Sequence, residues 1–540
     1  MNVAAAALIV VISIDQMRYD YLQRFDPFFT TRGFKRFTTI GATFTNARPR
    51  HSVTSTGPGH AAIGGGTVPR ENGIVANRWL DRTATFDQNK WDSYFAETSP
   101  YGTTSTTTTD ATPWYASSPY SPLFANEGAL TPTLGDLLQH DQPESQVVSL
   151  ALTDRAAILM GGKSADATYW FDHRRGGFVP QTSFNELIPG YIPASQQWTP
   201  MVPRETLERI TFDPPEAWPL KNSLYNATFP HPIANIRSLQ STPFAHAMLF
   251  DFAQQLIAER DLGGDEAPDL LYVSISSTDY LGHLYGPDSM EVADSMVRLD
   301  RALGDFLDAL DRRLAGRVIV ALTSDHGIQA LPEIAKLRDP RADAGRIDLR
   351  VPQPAAQKIR DLPPLRIELE RRLARALRLP FSLDAPLRNA LVFFFEEPTL
   401  YLNDARIAEL RLDPARVAVA LRDAARTIDG VANAWTVDDP NLPLVVRNTL
   451  VPTRSGEVVL TLKPGWIWMW GSNSTTHGQP VEADQHVPLM LYGPGIQPGT
   501  YDEEAAPMDL AKSLGVLLDI EAGGRQSRVL PCITRYDSRP

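Results

Sequence analysis

A single cysteine, Cys532, stands among 540 residues. That excludes an intrachain disulfide and a cysteine-built zinc site, so any metal must be held by imidazoles and carboxylates. No apolar run reaches the roughly 20 residues of a membrane-spanning helix. Basic clusters are scarce: 51 Lys and Arg stand against 63 Asp and Glu, a formal net charge of -12. This argues against a nucleic-acid surface, although a locally held cation can still bind an anionic substrate. The N-terminal "MNVAAAALIVVISID" has neither the basic opening nor the separate cleavage site of a signal peptide. It reads better as a first buried strand, Ala7 to Ile14, ending in Asp15. No internal repeat is visible.

What is present is an alternation of buried strands and helical patterns. Hydrophobic residues make up 43% and charged residues 21%, ordinary values for a globular protein. The length points to a large α/β domain with insertions, or to two domains. The runs "ALIVVISID", "SQVVSLALTDR", "DLLYVSISSTD", "RVIVALTSDHG" and "HVPLMLYGPG" suit strands buried on both faces. A helical pattern covers Ser289 to Ala315. The expected fold is α/β: a doubly wound, mostly parallel sheet with helices on both faces. The core is expected in three parts, 1–160, 241–335 and 466–540. The first carries a Thr/Ser-rich surface loop at 92–122. Residues 161–240 read as an irregular insertion, and 336–465 as an inserted α+β cap module.

In doubly wound sheets function collects at the carboxyl ends of strands. Four such ends carry metal-ligand residue types: Asp15; Asp279 with His283 in "SSTDYLGHLYG"; Asp325 and His326 in "TSDHG"; and His477 in "STTHGQP". Three carboxylates and three imidazoles would serve two divalent cations, each with about three protein ligands and an open position. Each fragment alone has a plainer reading. A strand-terminal Asp can cap a helix, an Asp-x3-His pair can be surface, and "SDHG" can be a turn. Their joint occurrence at successive strand ends is what points to metal chemistry.

The stretch "HSVTSTGPGHAAIGGG" (His51 to Gly66) offers a hydroxyl beside small residues. A metal lowers the pKa of a bound hydroxyl and makes it a nucleophile at neutral pH. A helix starting there would also favour an anion at its N-terminus. Both features suit a phosphoryl group.

These residues resemble the alkaline phosphatase superfamily, in its bacterial branch with a threonine nucleophile, close to the type I phosphodiesterase and nucleotide pyrophosphatase group. The resemblance extends over "VVISIDQMRYDYL", "TGPGHAAIGGGTVPRENGIVANRW", "DRAAILMGGKSADATYWFD", "STDYLGHLYGP", "TSDHG", "THGQP", "HVPLMLYGPG" and "DLAKSLGVLLDIEAGGRQSRVL". It implies two zinc ions, one on Asp279, His283 and His477, the other on Asp15, Asp325 and His326 with Thr56 as the substrate-facing hydroxyl. It implies that Asn77 and Arg155 bind the phosphoryl group, and that a phosphomonoester is hydrolysed through a covalent phosphothreonine. It further implies a monomer acting on small phosphoesters, periplasmic or secreted.

Two departures stand out. "TDRAAI" places Thr153 where the monoesterase pattern has lysine, and losing that charge-assisted contact costs about 2–3 kcal/mol. A diester carries less charge and tolerates the change, so a phosphodiesterase or nucleotide pyrophosphatase is the alternative reading. Lys163 would substitute only if its loop folded back. Asn72 stands where the branch usually has histidine, a difference expected to affect packing alone. His60 reads as a loop brace, and His486 and Asp484 as neighbours that orient ligands. His51, His140, His173, His231 and His246 read as surface or satisfied core residues, and Trp79, Tyr169 and Trp170 as packing.

Overall fold

The protein is described by a computed structural model covering residues 6–80, 95–97, 130–172, 175–211, 229–349, 358–469 and 474–534. The Thr/Ser-rich stretch 92–122 lies outside the described residues, apart from Phe95–Glu97, a strand that pairs with Arg78–Leu80. His173 lies outside them as well.

Nine strands form the central sheet: β1 (Leu8–Ile14), β2 (Ala42–Phe44), β3 (Val147–Ala151), β4 (Ala167–Asp172), β5 (Gly177–Val179), β6 (Asp269–Ile275), β7 (Val318–Thr323), β8 (Leu489–Tyr492) and β9 (Gly499–Tyr501). Their order is β9-β2-β8-β7-β1-β6-β3-β4-β5. β1 sits between β6 and β7, parallel to both, and β3 continues the parallel run to β4. Only β8 and the edge strand β5 run against their neighbours. The "HVPLMLYGPG" run is thus buried as expected but antiparallel, because an apolar run reports burial on both faces and not direction.

Alternation along the central strands divides the core in two. Leu8, Val10, Ile12 and Ile14 enter one apolar cluster, while Ile9 and Val11 enter the other. β6 and β7 repeat this, with Leu271 and Val320 on the first face and Leu270 and Ile319 on the second. Helices α3 (Phe244–Glu259) and α5 (Met290–Leu314) cover the first face. Helices α1 (Thr56–Gly65), α2 (Asp154–Gly161) and α6 (Asp509–Leu518) contribute Ile63, Met160, Leu510 and Leu514 to the second. Helix α4 (Ser277–Tyr285) follows β6 directly. The long α5 falls within the expected span. The Ser289 hydroxyl caps its start by accepting from Val292 N at 3.1 Å, and Ala315 ends it in the left-handed conformation.

Residues 161–240, expected to be irregular, supply β4 and β5 to the sheet. The aromatic run "ATYWFD" is a strand whose first half is only half-buried, so it shows no continuous apolar signal. Within 336–465 four antiparallel strands stand in the order Val392–Glu396, Thr399–Leu402, Val458–Leu462, Val431–Thr436. Helices Pro364–Leu377 and Pro414–Ala425 share an apolar core with them. A further parallel pair, Gly345–Asp348 with Trp466–Met469, straddles residue 465. This cap touches the core beside α1: the Thr449 hydroxyl accepts from Ser52 N at 2.8 Å, and Asn448 Nδ2 donates to the Arg50 carbonyl at 2.7 Å. The Arg454 guanidinium lies 5.1 Å from the Trp79 ring.

Candidate active site and metal centre

The six candidate metal ligands come together at the carboxyl ends of β1, β6 and β7. Asp15 is the residue after β1, and Asp325 and His326 follow β7. Asp279 and His283 lie one turn apart on α4, so both project from the same helix face. His477 comes from an irregular stretch between the cap and β8.

The donor atoms fall into two adjoining groups. In the outer one, Asp279 Oδ1, His283 Nε2 and His477 Nε2 are 3.4, 3.5 and 3.2 Å apart pairwise. In the inner one, His326 Nε2 lies 3.5 Å from Asp15 Oδ1 and 3.2 Å from Asp325 Oδ2. Tetrahedral donors at the usual zinc bond lengths stand about 3.3–3.4 Å from one another, which matches these separations. The rings of His326 and His477 stack with centroids 3.7 Å apart, so the groups share a wall. His326 accordingly also lies within reach of Asp279 and His477.

Two further observations fit a cation pair. Each candidate ligand histidine places Nδ1 on a backbone carbonyl: His283 on Thr475 at 2.9 Å, His326 on Gly327 at 2.9 Å and His477 on Thr54 at 2.6 Å. Nδ1 therefore carries the proton, and the Nε2 lone pair faces the donor group. Moreover, both Asp15 carboxylate oxygens, Asp325 Oδ2 and His326 Nε2 are buried without a hydrogen-bond partner among the described residues. Such groups are costly to bury unless something else satisfies them.

The electrostatics show the same want of positive charge. Burial, with repulsion from Asp325 and Asp279, pushes the Asp15 carboxyl well above the carboxylate range. Against the same burial, His326 and His60 hold Asp325 low, and His283 and His477 hold Asp279 low. Burial pulls His326 down to about 4, whereas Asp279 overcomes burial and pushes His477 up to about 9. A dication would relieve the repulsion at Asp15 and compete with protons for the Nε2 atoms.

Thr56 is the first residue of α1 and is buried. The helix N-terminus is set against the inner group. A Cβ at Gly59 would lie 2.6 Å from the Asp325 Cβ, so this turn needs glycine to approach so closely. His60 braces the junction: its Nδ1 is 2.8 Å from the Thr56 carbonyl and 3.2 Å from Asp325 Oδ2, and its Nε2 is 3.0 Å from Ser274 Oγ. Asn77 Oδ1 accepts from Gly57 N at 2.8 Å. Arg155, in the first turn of α2, is close enough to Asp15 to stabilise its charged form. Thr153 precedes α2, with its hydroxyl 3.1 Å from Ser276 Oγ beyond β6. Lys163 is exposed past the other end of α2, whose last residue stands about 9 Å along the axis from Arg155.

Other residues take their places around this centre. The Asp484 carboxylate accepts from Gln479 N at 2.9 Å and is close enough to His477 to favour its charged form. His486 stacks on Tyr19 and meets the Thr45 carbonyl. His51, His231 and His246 are buried against Val53 O, Glu291 and Ser295, and His140 is exposed. Trp79 and Trp170 are buried and Tyr169 half-buried. Asn72 is buried and bonds Thr67 through its side chain. Gln16 escaped the sequence reading. Its N–H donates to Asp325 Oδ1 at 3.3 Å and its Nε2 to Asp279 Oδ1 at 2.5 Å, from a left-handed backbone with φ 66°. Its only sequence signal was its position next to Asp15. Gln479 and Glu397 escaped too, because they act across long sequence separations.

The sequence model of the type I phosphodiesterase / nucleotide pyrophosphatase family matches residues 9–484. Alkaline phosphatase PhoV of Synechococcus elongatus is 29% identical over 96% of this chain and 91% of its own length. Alkaline phosphatase PafA of Elizabethkingia meningoseptica is 27% identical over 95% of this chain and 92% of its own. The crystal structure of wild-type alkaline phosphatase PafA superposes with a TM-score of 0.82 at 24% identity, over 99% of this chain and all of that one, and shares its α/β fold.

Proposed function

The chain belongs to the type I phosphodiesterase / nucleotide pyrophosphatase family and is a phosphoric ester hydrolase; from that premise we propose that it is a two-zinc alkaline phosphatase acting on phosphomonoesters through Thr56. The observation that carries this reading is the pair of adjoining three-donor groups, with orphaned buried atoms, packed against the helix that Thr56 opens. Alkaline phosphatases among the relatives, similar over nearly the whole chain, support the same substrate class.

Bound zinc would supply Lewis-acid stabilisation of the attacking and leaving oxygens and a water of lowered pKa. Asp279, His283 and His477 would hold one ion, and Asp15, Asp325 and His326 the other beside Thr56. The Thr56 oxygen loses its proton and attacks phosphorus. The ester oxygen leaves with the bonding electrons and is protonated to the alcohol. Phosphothreonine remains. A water oxygen then attacks phosphorus, the Thr56 oxygen departs and regains a proton, and phosphate is released. Gly57 N–H engages Asn77 Oδ1, which fixes the side chain and makes its Nδ2 the donor toward a phosphoryl oxygen. Arg155 offers its guanidinium fork to the same group.

Thr56→Ala is the direct test. It is expected to abolish turnover and the acid-trapped phosphoprotein while leaving zinc content at two per chain. Unchanged turnover would refute the nucleophile.

Thr153 favours a second reading, a phosphodiesterase using the same site, because no lysine stands there to match a monoester dianion. Comparing kcat/KM for an aryl phosphate with that for its methyl diester decides between them. Thr153→Lys is expected to raise the monoester rate selectively.

The proposal includes a monomer working outside the cytoplasm on small phosphoesters. Sedimentation and cell fractionation test this. Among the described residues no helix is long and apolar enough to cross a membrane.

A further inference from the structure

Five of the six candidate ligands lie on α4 or within three residues of the end of a central strand. His477 does not: residues 474–481 form an irregular strap, whose position rests on individual hydrogen bonds. On the core side, Gly478 N donates to Thr54 Oγ1 at 3.0 Å and Gln479 N to Asp484 Oδ2 at 2.9 Å. On the cap side, the bonds run through one buried side chain. Gln479 Oε1 accepts from Leu462 N at 2.7 Å, at the end of a cap strand, and Gln479 Nε2 donates to Glu397 Oε1 at 2.6 Å. Glu397 stands in the turn between cap strands Val392–Glu396 and Thr399–Leu402. Its carboxylate fills the space beside Gly478, where a Cβ would overlap it, and Gly478 has φ 113°. The residue that follows the ligand is therefore shaped to receive the cap's carboxylate.

We propose that Glu397 is a positioning residue: through Gln479 the cap module holds the strap so that His477 Nε2 faces the outer donor group. This rests on the reading of His477 as a metal ligand. Losing a side chain that orients a ligand typically weakens metal affinity about 10–100-fold. Glu397→Ala removes the cap's acceptor and leaves Gln479 Nε2 only its 3.1 Å bond to the Gly478 carbonyl, within the strap itself. Glu397→Gln keeps an acceptor oxygen at the same reach. If the bond is what matters, it behaves as the wild type.

The experiment is competition of zinc against a chromophoric chelator on the full chain, with thermal melting to establish that each variant is folded. Expected results are two ions for the wild type, an outer-site affinity about 10–100-fold weaker in Glu397→Ala, and near-complete retention in Glu397→Gln. Gln479→Met approaches the same bond from its other end and serves if Glu397→Ala does not fold. When all fold, the double variant Glu397→Ala/Gln479→Met is expected to be no weaker than the weaker single variant. Wild-type affinity in Glu397→Ala, or in Gln479→Met where only that one folds, overturns the inference while leaving the proposed function intact. So does equal weakness in Glu397→Ala and Glu397→Gln, or losses that multiply in the double variant. A wild-type chain that takes up no ion at the outer group overturns both.

Discussion

The inner and outer donor groups share a wall of stacked imidazoles, yet they are held in different ways. The inner side chains, Asp15, Asp325 and His326, are 0–1% exposed and stand at the ends of neighbouring strands. Their positions follow from sheet register, in which Leu8–Ser13 pair with Val318–Thr323 residue for residue. The outer side chains, Asp279, His283 and His477, are 15, 17 and 9% exposed, and they draw on one helix and a strap. A dry group framed by a sheet has little freedom to rearrange and a high cost for unmatched charge. A slightly more exposed group that relies on a strap for one of its donors has more freedom to rearrange. The contrast predicts a tightly held inner ion and a more labile outer one.

Within the donor groups the largest effect is expected from Asp325→Ala. It deletes a buried candidate ligand and the carboxylate that lies 3.2 Å from His60 Nδ1, and it spares the Asp325 Cβ against which Gly59 packs. Turnover should fall by about a thousandfold or more, ~4 kcal/mol of transition-state stabilisation, with loss of both ions. Retention of one tightly bound ion in this variant would show the groups to be independent. His283→Ala sharpens the comparison from the other side. It should lose the outer ion only, leaving one zinc per chain by elemental analysis, and turnover should fall about a hundredfold. Equal loss of both ions there would break the distinction.

Graded chelation of the wild type should remove the ions in two steps, the outer first, with dissociation constants at least about tenfold apart. Each step should lower the melting temperature, since an ion bound at 1,000 times its dissociation constant contributes about 4 kcal/mol. A single unresolved step would mean that the two groups are equivalent.

The contrast also explains what could be read from the sequence. Residues on regular elements announce themselves, because a strand's apolar run names its own end: Asp15 closes "LIVVISI", and Asp325 and His326 follow "VIVALT". The Asp279–His283 spacing is a helical turn visible in the string. The alternation of runs gives the doubly wound α/β architecture, but direction and edges escape it. β8 is antiparallel, and β4 and β5 hide in a stretch dense with aromatic residues and half-buried positions. What sequence could not give was the shared wall. That His326 stacks on His477, between the two groups, depends on where a strap lands and not on any local pattern. The partners of the strap lie 17, 82 and 425 residues away from it, and no spacing rule relates them.

One residue touches both groups and tests the comparison within itself. Gln16 reaches Asp325 through its backbone N–H and Asp279 through its side-chain amide. Its left-handed backbone, φ 66°, belongs to the inner connection, because it turns the N–H toward Asp325 immediately after β1. Gln16→Ala keeps that N–H and removes only the bond to Asp279. Outer-site zinc affinity should weaken about tenfold to a hundredfold, the ~1.5–3 kcal/mol of one hydrogen bond to a charged acceptor, and inner-site affinity should not change. Gln16→Gly removes the same amide and also frees the backbone at a position where glycine is unstrained. The two variants should therefore share the outer-site loss, and any additional loss in Gln16→Gly should fall on the inner site. An outer-site loss confined to one of them would place the effect in the backbone and not in the amide.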